Sequence, residues 1–332
     1  MRIIIDDKIP YIRESVSRIT ADAVYMEGAS ISAADVRDAD ALIVRTRTRC
    51  DESLLGGSKV TFVGTATIGY DHLDTAWLDR AGITWTNCPG CNAASVAQYV
   101  RSSLLLLCRD YGLLPQTSAI GIVGCGHVGS RVAEVARLMG FRVLVCDPPV
   151  GAPGYVSLAD IEREADVITF HVPLTREGVH RTYHIADEAF FGRLARRPFI
   201  INTSRGAVVD NIALLSALRD GRVRQAVIDT WEHEPAVSRE LLDAVYIGTP
   251  HIAGYSADGK VNADNMVLAA LCRHFGMTPP PPVTPPSLPE DFVYTGDPLQ
   301  LYDPLADSRR LKSVPERFEW LRGNYPLRRE YV

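Results

Sequence analysis

The sequence predicts an α/β fold in which helices cover both faces of parallel sheets. Short apolar runs rich in β-branched residues recur along the chain, and stretches with helical spacing separate most of them. The length of 332 residues suggests two domains, with room for a small third. Contents of 46% hydrophobic and 23% charged residues are typical of a globular protein.

The predicted elements form two successive α/β units. Strands are predicted at residues 3–5, 41–44, 60–63, 83–86, 119–123, 142–146, 167–170, 198–202 and 226–229. A long apolar helix from Val96 to Arg109 leads into the strand at Ala119, and an amphipathic helix follows from Val128 to Met139. The helix at 96–109 therefore joins the two units.

The composition changes after Phe275. Residues 277–290 are rich in proline, so they are predicted to form an extended, semi-rigid linker. Residues 291–332 are polar, rich in arginine and aromatic side chains, and too few to bury a core alone. This tail must either dock on the rest of the chain or pack against another subunit.

The charge balance excludes several classes of partner. With 35 Lys and Arg residues against 40 Asp and Glu residues, the net charge is −5, and no basic face is expected for nucleic acid. Apolar runs such as Leu104–Cys108 are far too short to cross a membrane, while the N-terminus becomes charged too early for a signal peptide. We expect a soluble, cytoplasmic protein that binds neither nucleic acid nor membrane.

The seven cysteines favour a reducing compartment, because they are odd in number and lie in apolar segments. Cys88 and Cys91 flank a Pro-Gly pair, but no second pair with similar spacing completes a zinc site. We interpret them as ordinary thiols beside a turn, and we expect no metal.

A glycine motif follows the predicted strand at 119–123. Gly124, Gly126 and Gly129 form a G-x-G-x-x-G at the start of a helix, a pattern that cradles the pyrophosphate of a dinucleotide. Asp147 ends the next strand, where a carboxylate accepts hydrogen bonds from ribose hydroxyls and repels a 2′-phosphate. The motif therefore predicts NAD rather than NADP, and the alternative is a glycine-rich turn that binds nothing.

Three later strand ends carry ionisable residues. Arg205 can hold a carboxylate bidentately, His251 can accept a hydroxyl proton, and Glu234 can pair with the imidazolium. Together they suit hydride transfer at a 2-hydroxy acid. Singly, each has a structural interpretation, such as a cap, a turn or a satisfied hydrogen bond.

The remaining histidines receive no functional assignment. Those interpreted as lying in polar or helical stretches without partners are His180, His184, His233 and His274. The interpretation of His72 and His171 stays open.

The glycine pattern, Phe170–Leu174, Asn202–Gly206, Asp229 with Glu234-Pro235, and Pro250–Gly254 together resemble the D-isomer-specific 2-hydroxyacid dehydrogenases. The resemblance implies a Rossmann NAD-binding domain at 94–256, inserted in a flavodoxin-like substrate domain made of 1–93 and 257–276. It also implies catalytic roles for Arg205, Glu234 and His251. The implied cofactor contacts are Gly124, Gly126, His127, Val128, Gly129, Asp147, Val172, Ser204, Arg205, Gly206, Asp229 and Gly254.

Motifs near the N-terminus and in the tail resemble a branch of that family with a phosphorylated substrate and a C-terminal dimerisation domain. Residues 291–332 would then be a shortened dimerisation domain, and the protein a homodimer. Val172 stands where this branch commonly has threonine, which would remove one hydroxyl contact to the cofactor. The implied substrate contacts are Arg45, Thr46, Thr67, Ile68, Gly69 and Tyr255.

Arg45, Arg47 and Arg49 alternate, so at a strand end they would project the same way and concentrate positive charge for a phosphate. The alternative is a solvated edge. The leading hypothesis is an NAD-dependent dehydrogenase of a small phosphorylated 2-hydroxy acid. Another 2-hydroxy acid, such as phosphoglycerate or glycerate, is a second hypothesis, and a non-catalytic NAD-sensing protein is a third.

Overall fold

The computed structural model describes residues 1–331. Its strands are β1 (Ile3–Asp6), β2 (Ala23–Met26), β3 (Ala41–Val44), β4 (Phe62–Thr65), β5 (Thr84–Thr86), β6 (Ala119–Val123), β7 (Arg142–Cys146), β8 (Val167–Phe170), β9 (Phe199–Asn202), β10 (Gln225–Ile228) and β11 (Ile247–Gly248). Its helices are α1 (Ile12–Ser17), α2 (Ala33–Val36), α3 (Glu52–Leu55), α4 (Thr75–Arg80), α5 (Ala93–Tyr111), α6 (His127–Leu138), α7 (Leu158–Glu164), α8 (Glu188–Arg193), α9 (Asn211–Arg219), α10 (Arg239–Ala244), α11 (Ala257–His274), α12 (Pro298–Leu301), α13 (Pro304–Ser313) and α14 (Phe318–Gly323).

The chain divides into two compact units. The first comprises Met1–Asn92 and Ser256–Phe292, and the second comprises Ala93–Tyr255 and the chain from Val293 onward. Among the described residues, no helix is long and apolar enough to cross a membrane.

The first unit is built on a five-stranded parallel sheet in the order β2-β1-β3-β4-β5. Strands β1, β3 and β4 are buried throughout, as expected for strands covered on both faces. Helix α11 packs closely on β4, since a Cβ added to Gly64 would lie 2.3 Å from a methyl group of Val267. Glycine at this position lets the helix approach the sheet.

The proline-rich segment makes specific contacts within the first unit. The side chain of Asn265 on α11 donates to the carbonyl of Val283 at 3.0 Å and accepts from its amide at 2.7 Å. Val283 also packs on the apolar core of this unit. The segment predicted as a linker is thus anchored near its middle.

The second unit is built on a six-stranded parallel sheet in the order β11-β10-β9-β8-β6-β7. Because all six strands run the same way, their carboxyl ends lie along one edge, which is where α/β sheets bind ligands. Long helix α5 and the amphipathic α6 pack on this sheet through buried aliphatic side chains. The sheet positions every site residue described below for this unit.

The tail docks on the second unit of its own chain. Leu311 and Phe318 are fully buried in one core cluster of this unit, and Tyr302 is buried in the other. The backbone N–H of Gly248 on β11 donates to the hydroxyl oxygen of Ser308 at 3.0 Å. Of the two predicted alternatives, the structure shows docking on the body.

Candidate active site

His251 and Glu234 form a hydrogen-bonded pair in the second unit. Nδ1 of His251 lies 2.8 Å from Oε2 of Glu234, and Oε1 of Glu234 accepts from the Trp231 amide at 2.8 Å. Burial raises the pKa of Glu234, but the hydrogen bond and charge of His251 outweigh it and hold that pKa below its usual range. The carboxylate therefore stays ionised beside the ring and fixes its orientation.

The turn that carries His251 is organised by Asp229, which follows β10. Oδ1 of Asp229 accepts from the Thr249 hydroxyl at 2.6 Å and the Ile252 amide at 2.8 Å, and Oδ2 accepts from the Ala253 amide at 2.9 Å. His251 has a left-handed φ of 56°, a costly conformation that such surrounding bonds maintain. Burial raises the pKa of Asp229, although the charge of His251 and these bonds oppose the rise.

Arg205 lies in the loop after β9. Asn202 supports this loop, because its amide nitrogen donates to the Arg205 carbonyl at 3.0 Å and its amide oxygen accepts from Ser204. A Cβ added to Gly206 would lie 1.9 Å from the Trp231 carbonyl oxygen. The loops bearing Arg205 and Glu234 are therefore in direct backbone contact, and only glycine permits it.

The glycine turn has the shape that a dinucleotide requires. Gly124 has a φ of 91°, and a Cβ on Gly129 would lie 1.9 Å from the Gly124 carbonyl oxygen, so the helix packs tightly on the turn. At Gly126 a Cβ would meet nothing within 4 Å, which leaves room for a pyrophosphate. Helix α6 starts without a side-chain cap, so its first amides can bind phosphate.

Asp147 follows β7 and lies beside the glycine turn. Its Oδ2 accepts from the Cys125 amide at 2.7 Å, so the carboxylate is fixed at the place where a ribose would bind. Val172 follows β8, and a Cβ on Gly124 would lie 2.7 Å from its methyl group. These residues fit NAD, and His127, Val128, Ser204, Gly206 and Gly254 lie at the same carboxyl edge of the sheet.

His171, whose role the sequence does not decide, is half-buried and directly follows β8. Its Nε2 lies 2.9 Å from the Thr169 hydroxyl, and its Nδ1 lies 3.4 Å from the Thr203 hydroxyl. Burial lowers the pKa of His171 to about 3, so its ring is neutral. Its hydrogen bonds to two threonines indicate a structural role.

In the first unit, the predicted substrate contacts follow β3 and β4 at the carboxyl edge of the sheet. Thr46 is exposed in the turn after β3, and Nη1 of Arg45 donates to the Lys8 carbonyl at 2.6 Å. The Thr67 hydroxyl donates to the Gly69 carbonyl at 2.8 Å, and the Ile68 carbonyl accepts from Asn87. The parallel pairing of β3 with β4 brings these two loops to one edge.

The predicted alignment of three arginines on one strand end is wrong. Strand β3 ends at Val44, and the chain turns because the buried Thr48 hydroxyl donates to the Gly28 carbonyl at 2.8 Å. Arg49 then pairs with Asp51 at 2.6 Å. Arg45 alone keeps a place next to the end of β3.

His72, also left open, supports the loop of Thr67. Its Nε2 lies 3.0 Å from the Thr65 hydroxyl, which lies 2.8 Å from the Thr67 hydroxyl. Burial lowers the pKa of His72, so its neutral form is favoured. A chain of hydrogen bonds thus connects this histidine to a predicted substrate contact.

Two histidines interpreted as lacking partners have them. Nε2 of His184 lies 2.7 Å from Glu232, and Nε2 of His274 lies 3.1 Å from the Thr61 hydroxyl. That interpretation is therefore wrong for both residues. Their partners are far away in sequence, so spacing along the chain carried no signal for them.

Cys88 and Cys91 are buried free thiols in the first unit. Cys88 donates to the carbonyls of Thr65 and Ala263 at 3.4 and 3.3 Å, and burial raises its pKa. The pair occupies a turn in which Gly90 has a φ of 78°. Within residues 1–331, no group of three or more His, Cys, Asp or Glu residues is placed to hold a metal.

Comparison with known proteins identifies the family. Residues 98–253 match the family described as D-isomer specific 2-hydroxyacid dehydrogenase, NAD binding domain. The chain is 53% identical over 338 residues to an erythronate-4-phosphate dehydrogenase of Bacteroides thetaiotaomicron, an alignment that covers 99% of this chain and 97% of that protein. This chain belongs to the erythronate-4-phosphate dehydrogenase family.

More distant proteins share the same family or the same fold. An erythronate-4-phosphate dehydrogenase of Edwardsiella ictaluri is 42% identical over 350 residues, covering 100% of this chain and 93% of that protein. The fold matches NAD-bound 3-phosphoglycerate dehydrogenase of Entamoeba histolytica with a TM-score of 0.69, at 24% identity, covering 83% of this chain and 95% of that structure. The predictions of an α/β fold with a Rossmann domain and of an NAD-dependent 2-hydroxyacid dehydrogenase are confirmed.

Proposed function

We propose that this protein oxidises 4-phospho-D-erythronate at C2 to 2-oxo-3-hydroxy-4-phosphobutanoate, a step of pyridoxal 5′-phosphate biosynthesis. The observation that carries the proposal is the Glu234–His251 pair at the carboxyl edge of the NAD-binding sheet, in a chain 53% identical to a relative named for this substrate. The glycine turn and the loop of Arg205 in this chain support the same chemistry.

The proton of the C2 hydroxyl goes to His251. Donation from Nδ1 to Glu234 makes Nε2 the basic nitrogen of the neutral ring, and Glu234 then stabilises the imidazolium that forms. NAD, when bound, supplies the acceptor for the C2 hydride. The C2–O bond becomes a carbonyl as the C–H and O–H bonds break, so the reaction releases one proton overall.

Arg205 holds the substrate carboxylate in this proposal, because a guanidinium matches a carboxylate with two parallel hydrogen bonds. Arg45 binds the phosphate, assisted by Thr46 and the loop of Thr67, Ile68 and Gly69. Tyr255 is a further substrate contact. The cofactor is held by the glycine turn and Asp147, with Val128, Val172 and the other predicted contacts around it.

A substrate panel tests the proposal. Reduction of NAD is followed by absorbance with 4-phosphoerythronate, 3-phosphoglycerate, glycerate and lactate, and kcat/KM is expected to be highest for 4-phosphoerythronate by at least about 100-fold. A higher value with 3-phosphoglycerate would contradict the substrate. NAD binding without reduction by any of these acids would favour the NAD-sensing alternative.

We also propose a cytoplasmic homodimer that pairs through residues 291–332. The seven free cysteines support a reducing compartment, and the exposed side chains of Trp320 and Leu327 in the tail support a contact with a second copy. The mass of the protein in solution tests the pairing, and a monomer at micromolar concentration would contradict it.

A further inference from the structure

The tail is fixed on the turn that follows His251. Arg328 is only 3% exposed, and its guanidinium donates to the carbonyl of Ser95 at 2.5 Å, of Ile252 at 3.2 Å and of Ala253 at 3.1 Å. Its Nε also donates to Gln98 at 2.8 Å. The tail therefore contacts the backbone next to the acid–base pair within one chain.

A second tail arginine reaches Tyr255. Nε of Arg322, on α14, donates to the Tyr255 hydroxyl at 2.9 Å, and its guanidinium carbon lies 5.7 Å from the centre of that ring. The Tyr325 ring packs edge-on against Tyr255 with 6.0 Å between centroids. Two tail side chains thus fix the position of a proposed substrate contact.

Arg322 also places a charge near the acid–base pair. Its side chain is 21% exposed, so water screens it only partly. Its charge lowers the pKa of Glu234, together with the larger effect of His251. On its other side, Nη1 of Arg322 lies 4.0 Å from Glu319, which is more exposed.

The charge is stable at this place. Burial disfavours the charged guanidinium, but Tyr255, Glu234 and Glu319 favour it, so the pKa of Arg322 lies above its usual value. A guanidinium stays protonated throughout the pH range in which enzymes work. Arg322 is therefore a permanent cation whose charge acts on the Glu234 carboxylate.

We propose that Arg322 is a positioning residue of the dehydrogenase site, which orients the Tyr255 hydroxyl and sets the electrostatic potential at the Glu234–His251 pair. This inference rests on the proposed function. It gives the tail a role in the chemistry of its own chain, whether or not two chains pair. A purely structural role would predict changes in stability alone.

Steady-state kinetics separate these roles. For Arg322→Met, KM for the hydroxy acid is expected to rise about tenfold, the size of one lost charged hydrogen bond, while KM for NAD stays unchanged. The acid limb of the kcat/KM profile is expected to move to higher pH by about 0.5 unit or more, because the cation no longer favours the ionised carboxylate. Arg322→Lys should restore the pH profile and leave KM raised.

Two further variants serve as comparisons, one at another arginine of the same segment and one at the hydrogen-bond partner of Arg322. Arg317→Met removes an arginine from the same segment that lies over Trp320 at 3.8 Å, and it should leave KM and the profile unchanged. Tyr255→Phe removes only the hydroxyl, so it should raise KM without moving the acid limb. An Arg322→Met enzyme with the KM and pH profile of Arg317→Met would overturn the inference.

A readout without turnover separates this inference from the substrate assignment. The Glu234 carboxyl is titrated by carbon-13 NMR in the protein without ligands, with Glu234→Gln used for assignment. Its pKa is expected to rise in Arg322→Met and not in Arg317→Met, and an equal pKa in both would refute the inference even if no acid were oxidised. If Arg322→Met fails to fold, Arg322→Lys and Tyr255→Phe decide, and a KM unchanged in both would refute it.

Discussion

Glu234 holds His251 through one carboxylate oxygen and holds the amide of Trp231, in its own loop, through the other. Both carboxylate oxygens therefore have a hydrogen-bond partner. The imidazole ring that the carboxylate orients is the group proposed to accept the hydroxyl proton. Glu234→Gln keeps the shape but removes the charge that stabilises an imidazolium.

Replacement of the base gives the first prediction. His251→Ala is expected to lower kcat by about 10³-fold, the size of a lost general base, and to leave NAD binding unchanged. Stopped assays of NADH formation and fluorescence titration with NADH measure the two quantities. The control is His233→Asn, because His233 is exposed with a φ of 63° that asparagine tolerates. Equal turnover in the two variants would contradict the mechanism.

Cofactor choice gives the second prediction. Asp147→Asn keeps an oxygen to accept from the Cys125 amide but removes the charge that repels a 2′-phosphate. The ratio of kcat/KM for NAD to that for NADP is expected to fall by about tenfold or more. Glu134→Gln removes an exposed carboxylate from α6 and should leave the ratio unchanged. A similar ratio in both variants would place the NAD preference elsewhere.

A buried carboxyl in the first unit gives the third prediction. Asp264 on α11 is 1% exposed, its Oδ2 is a buried atom without a hydrogen-bond partner in the described part of the chain, and burial raises its pKa to about 8 despite the charge of Lys260. The folded protein then holds a proton that the unfolded chain, with a pKa of 3.8, has lost. Raising the pH from about 4 to about 8 therefore lowers stability, by at most about 1.4 kcal/mol per unit.

Urea unfolding across this pH range measures the effect. Asp264→Asn should flatten the dependence, whereas the exposed Asp22→Asn in the same unit should not. If the free energy of unfolding of Asp264→Asn still falls with rising pH, another group holds the extra proton of the folded state.

The fourth prediction concerns the loop before Glu234. Glu232 accepts from His184 at 2.7 Å and from the Asn211 amide at 2.9 Å, which ties the loop to α9 and to the chain before α8. His184→Ala is expected to lower the free energy of unfolding by about 2 kcal/mol, since it leaves a partly buried carboxylate short of one partner. Urea denaturation measures it, and the exposed His180→Ala should change stability by less than about 0.5 kcal/mol.

Most buried strands could be predicted to within one residue, because continuous apolar runs specify them, although β4 begins and ends two residues later than the predicted 60–63. Strand β2 was not predicted, since Ala23–Met26 is only half-buried and contains a single β-branched residue, Val24. Strand β11 has two residues, Ile247 and Gly248, which is too short for any periodicity. The helix predicted at 96–109 extends over Ala93–Tyr111, because its ends are less apolar than its middle.

The position of the candidate site residues could be predicted where they lie in motifs at strand ends. The contacts of Arg322 and Arg328 with the site could not be predicted, because their partners lie about seventy residues away in sequence. Those partners are Tyr255 and the carbonyls of residues 252 and 253. The one sequence signal was the wealth of arginine and aromatic residues in a tail too small for its own core. Arg47 and Arg49 were misplaced for a similar reason, since Thr48 turns the chain by bonding to Gly28.

The attachment of Arg328 to the carbonyls of Ile252 and Ala253 has a consequence during synthesis. The ribosome makes residue 328 after every strand of the NAD-binding sheet, so a nascent chain can complete both sheets while the backbone beside His251 still lacks this clamp. Chain elongation thus allows the sheet to form before the turn that follows His251 gains these hydrogen bonds.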